Sequence, residues 1–466
     1  MLFERIESKG LAHNSYLIGL GGEAIVIDPR RDCDIYVEMA TREGSRIRHI
    51  LETHRNEDYA IGSLELAART GAEVWHADGQ WQYQYGQAVE PGQKWRVGGL
   101  RLEAIHTPGH TPGSMSYLLS NAQGAPWVVF TGDVLFAGEV GRTDLLGQER
   151  LKEMTGLLYD TLQEKILPLG DEVIVCPAHG AGSACGAAIA DRPWTTIGYE
   201  RKHNPRLMYS DKGDFMENVG RMLERPHYFR QMEALNLAGP PVLGALPVPT
   251  PLTAGEFAER ANDAIVLDTR MELGFAAAHV SGALSIWLAG VPSFAGWFLP
   301  YDRPILLVNE TDNPSEVTRY LVRMGYDSLA GYLAGSMLSW HKSGLEGKSI
   351  GTVTIQELCR RLDRGEEIWI LDVRSKDELE HMGEVPRSHH IHITQLPERM
   401  EEVPRDRLVY VFCGSGLRSM VAASLLQRQG WRDMTVVLGG FAGWISTRCP
   451  LEPRQAERDW ANLLVF

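Results

Sequence analysis

The chain alternates short apolar runs with polar turns and amphipathic stretches from its first residues onward. Two runs rich in β-branched and aromatic residues, 14–20 and 24–28, flank Gly21-Gly22, a pair that predicts a hairpin turn. The spacing of apolar positions over 34–42 then predicts a helix, and the apolar run 48–51 predicts another strand. The N-terminal part is therefore predicted to be mixed α/β and not an array of helices.

A proline-rich stretch interrupts this pattern in the middle of the chain. Residues 236–253 contain five prolines and two glycines, a composition that disfavours both helix and strand. We therefore predict an N-terminal domain over 1–235 and a linker over 236–253.

An internal repeat follows the linker. Val266-Leu-Asp268-Thr-Arg270 resembles Ile370-Leu-Asp372-Val-Arg374, and Trp340 and Trp444 are separated by the same 104 residues. Each half alternates short apolar strands with helical segments, which is typical of a parallel sheet. The repeat predicts two related α/β domains, 254–346 and 352–466.

The length and the net charge of the chain exclude several classes of protein. A chain of 466 residues has room for about three domains. The formal net charge of -14 argues against a general nucleic-acid binder. No apolar run is long enough to span a membrane, and the first residues lack the order of a signal peptide. The six cysteines are scattered without a C-x-x-C pair, so we expect a cytoplasmic protein with reduced thiols.

The most informative chemistry of the second repeat is at Cys413. An apolar strand ends there, a glycine-rich loop follows, and a helix is predicted to begin near Arg418-Ser419. Such a loop can turn its backbone N–H groups toward the sulfur, while the helix N-terminus and Arg418 add positive potential. These features favour a thiolate and would equally hold an anionic persulfide.

The segment from about 352 to 450 resembles the rhodanese family of sulfurtransferases. In that family the loop cysteine carries sulfur as a persulfide, which implies that Cys413 is the catalytic residue and Arg418 its cationic partner. Similar loops of phosphatases begin with His-Cys and enclose five residues, whereas here Phe412 precedes Cys413 and four residues separate it from Arg418. The resemblance implies an anion-binding loop made of Gly414, Ser415, Gly416, Leu417 and Ser419.

The first repeat lacks this chemistry. The position that corresponds to Cys413 is Asn309, and Pro314 stands at the position of Arg418. The first copy is therefore predicted to be a degenerate rhodanese-like domain with a packing or spacer role.

The N-terminal domain contains a different set of candidates. His54, His110, Asp133 and His179 each follow an apolar run, so each is expected at a strand end or in the loop after it. Two imidazoles and one carboxylate with open positions suit a non-haem Fe(II) site.

These segments resemble the metallo-β-lactamase superfamily over residues 1–235, and most closely its persulfide dioxygenase branch. The resemblance rests on T-H-R-N-E-D-Y from Thr53, G-H-T-P-G from Gly109, T-G-D-V-L-F from Thr131, G-R-T-D from Gly141 and C-P-A-H-G from Cys176. It implies an αββα sandwich, followed by the two rhodanese-like domains with parallel sheets. In that branch one iron is held by residues that correspond to His54, His110 and Asp133.

The chain departs from the superfamily pattern H-x-H-x-D-H at two positions, where it has Asn56 and Tyr59. A dinuclear zinc hydrolase would lose one ligand from each metal site, whereas the single-iron set stays intact. The resemblance leaves a further set for a second metal or for orienting ligands and water: Asp58, His179, Asn56 and Tyr59. It also implies that Arg142 and Asp144 shape the site.

The resemblance implies an iron enzyme with one Fe(II) per chain, zinc being the alternative metal. Its expected substrates are O₂ and a persulfide of glutathione, coenzyme A or a similar thiol, with sulfite as product and thiosulfate formed by sulfur transfer at Cys413. We expect a homo-oligomer without nucleic-acid or membrane partners. The alternatives are a thioester hydrolase of the glyoxalase II type with an attached sulfurtransferase, and a sulfurtransferase whose metal domain is inactive.

Overall fold

The computed structural model describes residues 1–183, 185–186, 188–209 and 211–447. The chain forms two compact units. The first comprises Met1–Pro247 together with the short segments Gly296–Phe298 and Thr318–Asp327, and the second comprises the rest of the chain from Val248. The last part of the predicted domain 352–466, residues 448–466, lies outside the described residues.

Two six-stranded sheets form the body of the first unit. The strands of the first sheet follow each other in chain order: β1 (Leu2–Ser8), β2 (His13–Leu20), β3 (Glu23–Ile27), β4 (Arg46–Leu51), β5 (Glu73–His76) and β6 (Gln87–Ala88). The second sheet likewise keeps the chain order: β7 (Lys94–Val97), β8 (Leu100–His106), β9 (Met115–Ser120), β10 (Pro126–Gly132), β11 (Ile174–Pro177) and β12 (Thr195–Thr196).

The alternation of side chains along β2 explains the layers of this unit. Tyr16 and Ile18 pack in an apolar core that also contains Leu102 and Tyr117 of the second sheet. Leu17, between them, points to the opposite face and packs in a core shared with helix residues. Each sheet is thus covered by the other on one face and by helices on the other, which confirms the αββα sandwich.

The helices of the first unit cover the outer faces of the sheets. The predicted helix over 34–42 and the predicted hairpin at Gly21-Gly22 are both present. The predicted domain boundary at 235 lies inside the last helix of the unit. The helices are α1 (Asp34–Arg42), α2 (Ser63–Thr70), α3 (Gln148–Thr161), α4 (Ile197–His203), α5 (Lys212–Val219) and α6 (Phe229–Ala238).

The repeat predicted from the sequence appears as two five-stranded parallel sheets with the same strand order. The first sheet has the order β13-β17-β16-β14-β15, with β13 (Pro251–Leu252), β14 (Ile265–Asp268), β15 (Leu284–Ser285), β16 (Ile305–Val308) and β17 (Leu329–Leu333). The second has the order β18-β22-β21-β19-β20, with β18 (Gly351–Thr354), β19 (Trp369–Asp372), β20 (Ser388–His390), β21 (Val409–Phe412) and β22 (Met434–Leu438).

The strands β16 and β21 are in register with the repeat, so Asn309 and Cys413 each follow the corresponding strand directly. The helices of the first copy are α7 (Ala254–Arg260), α8 (Glu272–Ala277), α9 (Val291–Phe298), α10 (Ser315–Arg323) and α11 (Ser336–Lys342). Those of the second copy are α12 (Ile355–Asp363), α13 (Lys376–Met382), α14 (Leu396–Arg399), α15 (Leu417–Arg428) and α16 (Gly440–Thr447). None of the described helices is both long and apolar enough to cross a bilayer.

Candidate functional site

Four loops of the αββα sandwich bring the predicted metal ligands together. His54 follows β4, His110 lies between β8 and β9, Asp133 follows β10, and His179 follows β11. All four side chains are buried. Each of the four residues therefore lies in the loop that follows a strand, as predicted.

The ligand atoms of His54, His110 and Asp133 converge on one point. Asp133 Oδ2 lies 3.7 Å from His54 Nε2 and 3.5 Å from His110 Nε2. Within the part of the chain that the structure describes, none of these three buried atoms has a hydrogen-bond partner. Polar atoms that are buried and left without partners are costly unless they bind something. Two imidazoles and a carboxylate are a donor set that fits a divalent ion such as Fe(II).

Hydrogen bonds on the far side of each imidazole fix its orientation. Thr53 Oγ1 donates to Asp28 Oδ2 at 2.7 Å and lies 2.8 Å from His54 Nδ1, so it accepts from that nitrogen. His110 Nδ1 donates to the backbone oxygen of Arg142 at 2.9 Å. In both rings the proton is then on Nδ1, which leaves the lone pair of Nε2 directed at the ligand position.

Asp133 is oriented in the same way by His179. His179 Nδ1 donates to Asp133 Oδ1 at 2.7 Å, which leaves Oδ2 for a metal. Burial raises the pKa of the Asp133 carboxyl, but the imidazoles of His179 and His54 outweigh it and hold that pKa below its usual range. On its other side His179 Nε2 lies 2.9 Å from Asp58 Oδ2.

A buried aspartate outside the predicted set ties two of the loops together. Asp78 accepts hydrogen bonds from the backbone N–H of Arg55 at 2.9 Å, from Thr111 Oγ1 at 2.7 Å and from the backbone N–H of Gly113 at 2.8 Å. It therefore holds the loops of His54 and His110 at a fixed separation.

Asn56 and Tyr59, the two departures from the superfamily pattern, contact other residues of the site region. Asn56 Nδ2 donates to the backbone oxygen of His54 at 3.3 Å. The ring of Tyr59 stacks on His13 with centroids 3.9 Å apart and lies 6.5 Å from the ring of His179. An amide and a phenol thus take the positions at which the superfamily pattern has imidazoles.

Two side chains outside the predicted set, Glu57 and Cys185, also lie in the site. Glu57 Oε1 lies 3.1 Å from His110 Nε2, and Cys185 Sγ lies 3.7 Å from Glu57 Oε1. Burial raises the pKa of Glu57, but His110 and His54 lower it to about 2, so the side chain is a carboxylate. Glu57 could have been predicted from the sequence, because it lies inside the motif loop. Cys185 could not, because its Gly/Ala/Ser-rich loop has no motif that indicates a ligand.

Arg142 and Asp144 act on the site through the backbone. Their side chains form a bidentate ion pair with distances of 2.7 and 2.8 Å, and Asp144 Oδ2 also accepts from the backbone N–H of Leu223 at 2.7 Å. This pairing fixes the loop whose carbonyl orients His110.

A second candidate site is the loop after β21, which contains Cys413. The backbone N–H groups of Gly416 and Ser419 point at Cys413 Sγ, at 3.1 and 3.4 Å. Gly416 immediately precedes helix α15, so the sulfur lies at a helix N-terminus. Gly416 and Ser419 both belong to the predicted anion-binding loop, and binding of an anion by that loop stays a prediction.

The segment between β22 and α16 holds this loop in place. The N–H of Phe441 donates to the backbone oxygen of Cys413 at 2.8 Å, and that of Ala442 donates to the oxygen of Gly414 at 3.0 Å. Gly440 has a φ of +43°, and a Cβ there would lie 2.2 Å from the backbone oxygen of Cys413. Only glycine allows this close approach.

The positive charge of Arg418 was expected to act on Cys413 alone, but in the structure it is also paired with a carboxylate. Its two terminal nitrogens contact the carboxylate of Glu378, each at 2.6 Å. Burial lowers the pKa of Arg418, but the pairing with Glu378 outweighs burial and raises it. Arg418 also affects His392, whose pKa burial and the Arg418 charge lower to about 4. Neither Glu378 nor His392 belongs to the residues predicted to form this site.

The first copy places an amide where the second has its thiol. Asn309 is buried at the end of β16, and its Oδ1 accepts from Thr269 Oγ1 at 2.8 Å. An amide cannot form a persulfide, so this position has no sulfur-carrying chemistry.

Comparison with known families agrees with these two architectures. The sequence profile of the metallo-beta-lactamase superfamily matches residues 8–179, and that of the rhodanese-like domain matches 253–343 and 354–447. Persulfide dioxygenase ETHE1, mitochondrial, of Bos taurus is 30% identical over 229 residues, which cover 45% of this chain and 77% of that protein.

Two further similarities bear on the assignment. Hydroxyacylglutathione hydrolase GloC of Haemophilus influenzae is 26% identical over 205 residues, covering 40% of this chain and 87% of the hydrolase. A metallo-beta-lactamase crystal structure from Staphylococcus aureus subsp. aureus COL has 30% identity and a TM-score of 0.64, and covers 72% of this chain and 99% of its own. The fold, the buried ligand cluster and these matches agree, so the chain belongs to the metallo-beta-lactamase superfamily and carries two rhodanese-like domains after its metal-binding fold.

Proposed function

We propose that the chain is an iron-dependent persulfide dioxygenase coupled to sulfur transfer at Cys413. The observation that carries the proposal is the convergence of His54 Nε2, His110 Nε2 and Asp133 Oδ2, three buried atoms that make no hydrogen bond within the described residues. The similarity to the bovine persulfide dioxygenase supports it. In the overall reaction a thiol persulfide, O₂ and water give the thiol and sulfite.

When bound, Fe(II) would supply open coordination positions and redox chemistry for O₂ and the persulfide sulfur. The chain's own residues fix the ligands. Thr53 and the backbone oxygen of Arg142 keep the protons of His54 and His110 on Nδ1, and His179 turns one oxygen of Asp133 inward. All of these groups are buried, which strengthens the electrostatic interactions between them.

Sulfur transfer would take place at Cys413. Its thiolate attacks the outer sulfur of a sulfane donor, the bond to the donor breaks, and the donor leaves as its anion. The resulting persulfide anion is stabilised by the N–H groups of Gly416 and Ser419, which already point at the sulfur. Sulfite then attacks the outer sulfur, which yields thiosulfate and regenerates the thiolate.

A thioester hydrolase of the glyoxalase II type is the second candidate. The similarity to the hydroxyacylglutathione hydrolase favours it, and Asp58 and His179 lie within reach of a second cation. The motif loop of this chain disfavours the hydrolase, because Asn56 and Tyr59 stand where the superfamily pattern has two metal-binding histidines.

Oxygen uptake separates the two candidates. The full chain, loaded with Fe(II) without oxygen, is given glutathione persulfide or coenzyme A persulfide, and uptake and sulfite are measured. In parallel, the iron-loaded and zinc-loaded chains are given S-lactoylglutathione. We expect uptake with a persulfide and no thioester cleavage; thioester cleavage without uptake would contradict the proposal.

Two variants assign the activities to their sites. His110→Ala should abolish oxygen uptake and leave rhodanese activity with thiosulfate and cyanide. Cys413→Ser should abolish that rhodanese activity and leave uptake. Cys176→Ser, which changes another buried thiol outside both sites, is the control and should leave both.

A further inference from the structure

Helix α6 supports the loop after β4 through one buried amide. Asn236 lies in the last turn of α6, and only 1% of it is exposed. Its Nδ2 donates to the backbone oxygens of Asn56 at 2.7 Å and Tyr59 at 2.8 Å. Its Oδ1 accepts from the backbone N–H of Ile61 at 2.9 Å. One side chain thus holds three backbone groups of the turn 56–61.

The turn 56–61 depends on such a partner because residues 56–60 belong to neither a helix nor a strand. All six residues of the turn are buried, and a buried backbone N–H or carbonyl without a partner is costly. A side-chain amide can donate two hydrogen bonds and accept at least one. A single asparagine therefore satisfies all three groups at once.

The turn carries two side chains that reach the metal centre. Glu57 Oε1 lies 3.1 Å from His110 Nε2, and Asp58 Oδ2 lies 2.9 Å from His179 Nε2. Both carboxylates come from the stretch between the two carbonyls that Asn236 holds. A displacement of the turn therefore moves these carboxylates relative to the imidazoles.

A second contact of α6 acts on the residue just before this turn. Glu233 Oε1 accepts from Arg55 Nη2 at 2.6 Å and from Arg225 Nη2 at 2.7 Å. Glu233 and Asn236 are three residues apart, so they lie on the same face of the helix. This face of α6 anchors the chain from residue 55 to residue 61.

We propose that Asn236 is a positioning residue of the metal site, which fixes the turn 56–61 and thereby keeps Glu57 beside the metal ligands. Asn236 lies outside 8–179, the range that matches the superfamily profile. In the rival arrangement Asn236 only stabilises the fold, and metal binding does not depend on it. The inference rests on the metal site of the proposed function and not on the reaction with O₂.

Cobalt titration of the full chain separates the two roles. The wild type and Asn236→Leu are freed of metal by chelation, reduced, and titrated with Co²⁺ without oxygen, while bound cobalt and its visible absorption bands are recorded. Leucine has nearly the shape of asparagine but no hydrogen-bonding group. We expect Asn236→Leu to bind cobalt about tenfold more weakly and with shifted bands, as after the loss of other groups that orient ligands. Wild-type affinity and bands would overturn the proposal.

Two control variants separate positioning from stability. Ile47→Ala opens a cavity in an apolar core of the first unit, near the start of β4 and far from the turn. It should lower the denaturant midpoint of unfolding and leave cobalt affinity and bands unchanged. Asn218→Leu makes the same substitution at an exposed position of α5 and should match the wild type. Cobalt binding weakened as much in Ile47→Ala as in Asn236→Leu would assign the effect to stability and overturn the proposal.

Asn236→Gln provides the test if Asn236→Leu does not fold. Glutamine keeps the amide but is longer by one methylene, so it displaces the turn without releasing it. We expect shifted bands and weaker cobalt binding than in the wild type, and identical bands and affinity would overturn the proposal.

These measurements require no turnover, so the role of Asn236 and the dioxygenase activity are tested separately. A chain that consumes no oxygen with a persulfide, yet shows the expected cobalt shifts, would contradict the dioxygenase proposal and support the role of Asn236.

Discussion

Arg418 and Glu378 form a bidentate ion pair beside the Cys413 loop, with both nitrogen–oxygen distances at 2.6 Å. Glu378 also caps helix α13, because its carboxylate accepts from the backbone N–H of Ser375 at 2.8 Å. The pair therefore connects the start of α13 with the start of α15. The guanidinium acts as a brace for the loop as well as a source of positive charge.

Replacement of Arg418 by lysine should show how much this brace contributes. A lysine keeps the charge but cannot form two parallel hydrogen bonds to one carboxylate. We expect Arg418→Lys to lower the rate of sulfur transfer about tenfold, equivalent to about 1.4 kcal/mol. The rate is measured with thiosulfate and cyanide at saturating and limiting thiosulfate.

An exposed pair of the same type provides the control. Arg399 binds Glu402 with distances of 2.6 and 2.7 Å on the surface of the same domain. Arg399→Lys should leave the rate unchanged. A rate that falls equally in both variants would mean that the effect does not come from the Cys413 loop.

The repeat and the strand pattern predicted most of the architecture because they depend on local periodicity. β16 and β21 appear at the predicted spacing, and Asn309 takes the place of Cys413 as predicted. The boundary at residue 235 illustrates the limit of such patterns. The composition change begins inside the final turns of α6, because a helix can run into a segment rich in proline and glycine until the first proline.

The sequence was less informative about side chains that reach the sites from outside the motifs. His54, His110 and Asp133 meet as expected, since each belongs to a recognisable segment. Cys185 and Glu378 contribute through tertiary packing, and nothing in their neighbouring residues indicates the contact. Distances of this kind arise only when separate loops are brought together by the fold.

The hydroxyl of Thr53 should control metal affinity without touching the metal. It accepts from His54 Nδ1 and donates to Asp28, so Thr53→Val removes both hydrogen bonds. Loss of such an outer partner usually lowers metal affinity 10- to 100-fold, about the range we expect here. The measurement is a competitive Fe(II) or Co²⁺ titration of the full chain.

The matched control is Thr41→Val, at an exposed position of α1. It should leave affinity unchanged. Equal affinities in the two variants would indicate that the Nδ1 contact does not orient His54. Circular dichroism separates lost affinity from lost folding.

Stability of the second rhodanese-like domain should decrease on mild acidification because of His392. Burial, then the charges of Arg418 and His390, lower the pKa of His392 from 6.5 to about 4, and Glu378 opposes this only weakly. Between these values the unfolded chain binds a proton that the folded chain does not, so stability is lost as the pH falls through this window.

His392→Gln should remove this contribution. Denaturant unfolding of both proteins over a pH series is the measurement, and the difference between the two curves isolates His392 from the other titrating groups. We expect the stability of the variant to depend less steeply on pH between about 6.5 and about 4. Parallel curves would contradict the assignment.

Gly440 should be irreplaceable even by alanine. Its φ of +43° is unfavourable for other residues, and a Cβ would lie 2.2 Å from the backbone oxygen of Cys413. We expect Gly440→Ala to cost about 2 kcal/mol or more of unfolding free energy and to lower sulfur transfer. Gly365→Ala is the control, since Gly365 has a φ of +73° with open space around it. It should cost about 1 kcal/mol and leave the transfer rate unchanged.

A cysteine at position 309 should not restore sulfur transfer in the first copy. There the helix begins at Ser315, six residues after Asn309, whereas α15 begins four residues after Cys413. Pro314 has no N–H to donate to a sulfur, and the loop contains Glu310 and Asp312, whose charges repel an anionic persulfide.

The test uses Asn309→Cys combined with Cys413→Ser, so that any transfer must come from the first copy. The rate from thiosulfate to cyanide should equal that of Cys413→Ser alone, and mass spectrometry should find no persulfide on position 309. A gain of transfer or a persulfide there would show that a thiol at the end of β16 is sufficient. In that case the N–H groups around Cys413 would not be needed for sulfur transfer. The residue at position 309 alone would then explain why the first copy does not transfer sulfur.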